Sequence, residues 1–297
     1  RMKLNGFGLN PKLVYKMEFD VVNGDVLDAV IKWNFAGNFH LWFGQTKLPG
    51  NRERVISSQK LQFVDRSLLN SKFNIDRDKG IQLRHNFKIG NMIVREVAAV
   101  SIGEGKNYKE PSAGHEFTGR LELLPFGKFK SKGDYFGSDL KREEKPKLAM
   151  GITYDYNNKA VRSGGQLGNM LSEARNLSTV FADMMFKYRG FSVMTEYAIK
   201  SADKNIEGLS KGFKTGNGFV TQVGYLFKNN MELAARYTTI RSDNHFSDIK
   251  DEDEITIGFS KYIVGHALKI QTDLSRTISP IETKGKIRFR AQVEMQF

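Results

Sequence analysis

Cysteine is absent from this chain of 297 residues. That removes disulfide scaffolds, thiol nucleophiles and cysteine-based metal sites together. Long apolar runs are missing too. No stretch approaches the roughly 18 residues that a spanning helix needs, and mean hydropathy is −0.44. A helical membrane protein is thereby excluded. A β-barrel is not, because barrel strands confine their apolar residues to every second position. Histidine is scarce: His40, His85, His115, His245 and His266 stand singly, as ordinary polar wall or turn residues do. No GxSxG elbow, P-loop or dinucleotide fingerprint occurs, since Gly103-Glu104-Gly105 and Gly216-Asn217-Gly218 lack the spacing. The acidic stretch from Asp248 to Glu254 matches no calcium loop. We therefore expect no enzyme, no metal and no cofactor. The chain begins at Arg1 with no secretory leader, which reads as a processed or truncated form.

Positive charge is abundant. Lys and Arg number 46 against 33 Asp and Glu, a net +13. Such a balance suits nucleic acid, an anionic membrane surface or small anionic solutes. The basic residues are interleaved with acids along the chain, which sets nucleic acid aside as a partner.

Period-two alternation is the dominant pattern. In the last segment Ile287, Phe289, Ala291, Val293, Met295 and Phe297 alternate with Arg288, Arg290, Gln292, Glu294 and Gln296. One face is apolar and the other polar, over a length that crosses a membrane when tilted. Leu13-Tyr15-Met17-Phe19, Leu27-Ala29-Ile31-Trp33-Phe35 and Phe219-Thr221-Val223-Tyr225-Phe227 read the same way. Tyr15, Trp33, Phe43, Tyr154, Tyr188, Tyr197, Phe227 and Tyr262 near segment ends are candidates for interfacial aromatic girdles.

The connections mostly alternate between short and long, although one on the long side, around Val21 to Asp25, is itself brief. Short turns fall at 10–12, 36–38, 89–91, 188–190, 228–230 and 264–266, and longer polar loops near 47–73, 102–113, 157–175, 201–217, 242–253 and 277–284. Short turns on one side and long loops on the other are the layout of an outer-membrane barrel. The expected fold class is an all-β, antiparallel transmembrane barrel forming one domain over 1–297. The segments number fifteen. Single-chain bacterial barrels close with even numbers, so parity calls for one more strand upstream of Arg1, making about 16.

One turn breaks the pattern. Between Leu124 and Lys147 parity expects a short periplasmic turn, yet 126–146 is a charged insertion. Its expected state is a solvated loop; the sharper alternative is a docking element for a periplasmic or envelope partner.

With the further strand counted first, 47–73 is the third external loop, the one expected to fold inward as a constriction. Ser57 or Ser58 is placed to cap a short helix carrying Leu61, Val64 and Leu68. Arg52, Arg54, Lys60 and Arg66 on this loop are the candidate anion-binding residues, since such cations replace hydration lost by an entering anion. On the strands Lys16, Lys32, Arg120, Lys187, Arg236, Lys269, Arg288 and Arg290 belong to the polar face, because cations facing lipid at bilayer depth cost a few kcal/mol each. Acids share that face, so the expected lumen wall is of mixed sign and the anion preference modest.

Phe43 to Arg52, Phe63-Val64-Asp65-Arg66-Ser67-Leu68 and Asp76 to Leu83 resemble the phosphate-selective porin O/P family of Gram-negative outer membranes. The resemblance in strand layout covers nearly the whole chain. It implies a sixteen-stranded barrel, frequent trimerisation and an inward loop bearing basic residues, here matched by Arg52, Lys60 and Arg66. A dense arginine ladder down the wall is not evident in the sequence. The expected function is passive diffusion of small solutes with a preference for anions, phosphate among them. Outer-membrane lipids, small anionic solutes and copies of the same chain in a homotrimer are the expected partners. The rival reading is a scaffold barrel within a larger envelope complex.

Overall fold

Strict alternation gives each segment two unlike faces, and the structure, a computed structural model, sorts those faces inside out. It describes all residues except 111–113, 204–211, 244–246, 248, 281–284 and 297. The strands are β1 (Met2–Phe7), β2 (Leu13–Asp20), β3 (Asp25–Ala36), β4 (Phe39–Lys47), β5 (Arg77–Ile89), β6 (Met92–Ser101), β7 (Glu116–Leu124) and β8 (Lys147–Arg162). They continue as β9 (Met170–Tyr188), β10 (Phe191–Ala202), β11 (Gly216–Leu226), β12 (Met231–Ser242), β13 (Glu252–Val264), β14 (Leu268–Ile278) and β15 (Lys286–Met295). Each pairs with the next in sequence in one 15-stranded meander, and every pairing is antiparallel. Among the described residues β1 and β15 pair on one side only, leaving an open seam between them. Phe297 and His245 lie outside the described residues.

On β13 the outward row Ile255, Ile257 and Phe259 is exposed, at 54%, 57% and 42%, while Thr256 on the other face is at 0%. An apolar exterior over a buried polar interior is what lipid demands. The expected girdle residues Tyr15, Trp33, Phe43, Tyr154, Tyr197 and Phe227 are exposed. Tyr262 corrects the expectation. It points inward, fully buried, and donates its hydroxyl to Glu232 Oε2 at 2.7 Å.

The short and long connections mostly alternate as the sequence predicts, the brief β2–β3 connection at 21–24 and the long β7–β8 connection at 125–146 being the exceptions; one loop changes in length. The loop expected at 157–175 shrinks to 163–169, because β8 and β9 go on pairing past Asn157 through an irregularity that ends at Arg162↔Met170.

The segment between β4 and β5, residues 48–76, turns into the barrel. It carries α1 (Arg52–Val55), a 3-10 turn at Ser58–Lys60 and α2 (Leu68–Lys72). The expected helix through Leu61, Val64 and Leu68 does not form. Neither Ser57 nor Ser58 makes a capping bond; Ser67 is the cap, accepting from Asn70 N at 3.2 Å. Its backbone N in turn donates to Glu53 Oε1 at 2.8 Å, which fixes the start of α2 from a neighbouring turn of the chain.

The 126–146 insertion is the larger surprise. It too is folded inward, with Phe129, Asp134, Ser138, Asp139 and Glu143 all buried. The solvated-loop expectation fails because the insertion finds partners for its polar groups inside the barrel mouth.

Candidate functional site

The inward segment 48–76 is held by the barrel wall, and by wall residues that the alternation alone marks only as polar. Asn51, at the start of α1, makes no side-chain cap. Instead Glu196 on β10 accepts from Glu53 N at 3.1 Å and from Asn51 Nδ2 at 2.8 Å, so a carboxylate meets the positive end of the helix. Arg52 is completely buried, donating from Nε to Asp183 Oδ1 at 2.6 Å and from Nη2 to Glu122 Oε1 at 3.0 Å. Gln62 reaches Ser192 Oγ at 2.9 Å and Glu232 Oε1 at 2.8 Å. Apolar anchors complete the hold. Leu48, Leu69, Phe73 and Ile75 pack on Phe181, Ala198, Val220 and Ile240 of β9 to β12. The lumen face therefore carries apolar residues, Phe181, Ala198, Val220 and Ile240, where these anchors seat.

Two glycines make room for this packing. A side chain on Gly258 of β13 would meet the Phe63 ring at 2.8 Å, and one on Gly224 of β11 would strike the Gln62 amide.

The expected wall cations divide into two groups. Those on β9 to β14 are tied up. Lys187 donates to the carbonyls of Gly133, Phe136 and Ser138 at 2.7–2.8 Å. Arg236 donates to Asp65 O at 2.9 Å and Lys269 to Leu61 O at 3.3 Å. Arg290 on β15 pairs with Asp273 at 2.7 Å. Arg288 is exposed on the same strand, at the open seam. None of these, nor Arg52, borders the cavity described next.

That cavity, about 840 Å³, runs along β1 to β7 from the level of Lys47 and Arg77 to that of His40 and Asn86, next to the short turns. Of the expected residues it brings together Arg54, Lys60, Arg66, Lys16, Lys32 and Arg120. It adds cations that the sequence reading passed over: Lys47, Arg77, Arg84 and Arg95 from the wall, Arg1 and Lys3 from the first segment, and Lys128 and Lys132 from the insertion. Fourteen Lys and Arg line it against four carboxylates, Glu18, Asp28, Glu96 and Glu122. The expected mixed wall holds for the barrel as a whole and fails here. Four arginines, Arg77 and Arg84 of β5, Arg95 of β6 and Arg120 of β7, share this side of the lumen.

Several of these charges are uncompensated. Among the described residues Lys3, Lys32, Lys47, Lys60, Arg66, Arg84, Lys128 and Lys132 make no ion pair. Lys32 Nζ and the Arg84 guanidinium each stand 4.0 Å from the centre of the Trp42 ring, an aromatic contact that steadies a cation without neutralising it. Arg66 donates to Glu53 O at 3.1 Å and Ile56 O at 2.7 Å. Lys60 has its Nζ 4.0 Å above the Phe136 ring. Burial, with Lys3 and Lys132 nearby, pushes its pKa below the ordinary lysine value. Arg54 chelates Asp76, with Nε to Oδ1 at 2.8 Å, and Lys16 bonds Glu18 at 2.9 Å and Asp28.

The sequence profile of phosphate-selective porin O and P matches residues 9–279. The chain belongs to this family. It is a β-barrel of the Gram-negative outer membrane. A relative described as an uncharacterized protein of Aquifex aeolicus (strain VF5) is 24% identical over 283 residues, covering 91% of this chain. The chain spans 66% of that relative's length. Among solved structures, the loop L8 deletion mutant of OmpT, an outer membrane protein of Vibrio cholerae, aligns with TM-score 0.56 at 12% identity, covering 97% of this chain and 87% of that one. The trimer form of in-vitro folded OmpT aligns at 0.50 and 14%, covering 97% and 85%. At such identities the likeness is one of fold.

Proposed function

We propose that the protein is a porin through which small anions, those of the phosphate class included, diffuse passively along the β1–β7 side of the lumen. The observation that carries this reading is the cavity lining: fourteen cationic side chains against four acids, with many of the cations lacking a carboxylate partner. An anion entering a narrow passage gives up hydration, and ammonium and guanidinium donors replace it. The cations are spread over the β1–β7 wall and two inward segments, which favours several weak sites over one tight one, as conduction requires. Arg52, placed on the inward loop, serves this function indirectly by holding the loop in position. We further propose a homotrimer, on the family's model and that of the neighbour solved as a trimer, formed through the apolar outer surface.

The decisive experiment is reversal-potential measurement in planar bilayers under a KCl gradient. Preference for chloride, with current reduced by added phosphate, is the expected result. Cation preference, or no conductance, would overturn the reading. The scaffold alternative rested chiefly on 126–146 as a docking element; absence of conductance in this measurement would favour it.

A further inference from the structure

We infer that the 126–146 insertion is the second jaw of the constriction, rising from the short-turn end against the 48–76 loop, and that Lys132 on it is a selectivity-determining residue. The inference rests on the porin reading above. Four observations carry it.

The insertion is fastened across the mouth. Gly190 N donates to Asp139 Oδ2 at 2.8 Å and Arg189 N to Glu143 O at 2.9 Å. Arg142 donates to Phe227 O in the turn after β11. Lys187 bonds three of its carbonyls from below. A segment anchored on β7, β8 and the turns after β9 and β11 closes off that side of the lumen.

It is also joined to the inward loop, backbone to backbone. Gly137 N donates to Lys60 O at 2.8 Å. A Cβ at position 137 would meet Gln62 N at 2.5 Å, so only glycine permits the approach. Around this joint Ile56 and Leu61 of the loop and Phe129 and Tyr135 of the insertion pack with Leu124, Met185 and Met194 of the wall.

The face it turns to the cavity is cationic, presenting Lys128, Ser131, Lys132 and Phe136. At its centre Ser131 (φ 53°) and Lys132 (φ 58°) are successive left-handed residues, a conformation that side-chain-bearing residues hold only when their surroundings enforce it. The strain falls on the residues that border the passage. Finally, Lys60 and Phe136, one from each inward segment, are in contact at 4.0 Å, so the two jaws meet at a cation.

The test uses the full chain, which has no cysteine of its own. Lys132→Cys is reconstituted in planar bilayers and treated with an anionic or a cationic methanethiosulfonate reagent. The anionic adduct is expected to lower the anion-to-cation permeability ratio by roughly two- to fivefold, and the cationic adduct to restore it. Lys145→Cys, exposed on the same insertion, should label without changing the ratio. Gly137→Val, which wedges the joint, should raise conductance while the barrel stays folded by heat-shifted electrophoretic mobility. If the thiol of the Lys132→Cys variant is not labelled, or is labelled with an unaltered ratio in a channel that still prefers anions, the inference fails and the porin reading stands. If the unmodified protein does not conduct, both fail together.

Discussion

Arg52 and Asp183 are 131 residues apart in sequence, yet Arg52 Nε donates to Asp183 Oδ1 at 2.6 Å with both side chains wholly buried. The pair stitches the inward loop to the opposite wall. Arg120 completes a four-membered cluster, donating to Asp183 Oδ2 at 2.7 Å and Glu122 Oε1 at 2.7 Å.

Removing one partner of such a cluster leaves buried charge uncompensated. Arg52→Met is expected to lower unfolding free energy by about 3–5 kcal/mol, against a much smaller change for a surface arginine. Urea titration of the reconstituted barrel measures it. A loop freed from its anchor should also give larger and noisier single-channel currents.

Lys32 and Arg84, both seated on Trp42, line the passage without an acidic partner. Lys32→Gln and Arg84→Gln are each expected to reduce the anion-to-cation permeability ratio about twofold, with little change in stability. Lys187→Gln acts differently, because Lys187 does not line this cavity. It should lower stability by about 1–3 kcal/mol through three unsatisfied carbonyls of the insertion, and alter the permeability ratio only through the loosened insertion.

Gly224 gives Gln62 its room. Gly224→Val is expected to displace the Gln62 amide from Ser192 and Glu232, costing about 1–3 kcal/mol. Gln62→Ala vacates the same space, so the double variant should lose less than the sum of the single losses. A strictly additive result in a double-mutant cycle would disprove the contact.

Lys60 titrates below an ordinary lysine, because burial and the cations Lys3 and Lys132 disfavour its charged form. As the solution is made alkaline, its positive charge is lost before that of an ordinary lysine. Anion preference should therefore weaken as pH rises, and Lys60→Arg, whose guanidinium stays charged, should weaken less. Reversal potentials at stepped pH give the comparison.

Fixed charge in a water-filled passage is screened by salt, with a Debye length of about 10 Å at 0.1 M and about 3 Å at 1 M. The permeability ratio measured at 1 M KCl should be nearer unity than at 0.1 M. A ratio independent of salt would place selectivity in a tight, dehydrated site.

The barrel was legible in the amino-acid sequence because its determinants are local. Ile255, Ile257 and Phe259 alternate with Thr256 and Gly258 whatever the rest of the chain does, and lipid sorts that alternation into faces. Turn lengths likewise follow from where alternation stops. The inward loop was legible by its place in the count, and its helices were not: Ser57 was as good a cap on paper as Ser67, and only Glu53 folding back onto Ser67 decided between them.

What the sequence by itself determined is the repeating strand, its polar and apolar faces, and hence the membrane-spanning sheet. Which polar side chains do what was decided by tertiary structure. Lys187 and Lys32 look alike on their strands, each a cation on a lumen-facing row. Curling the sheet sets Lys187 beneath the carbonyls of the insertion and Lys32 beside an open cavity. The insertion itself is polar enough to be read as solvated. It folds inward because the barrel mouth offers Lys187, Gly190 and the backbone of Lys60 as partners, from strands and loops that sequence proximity does not connect.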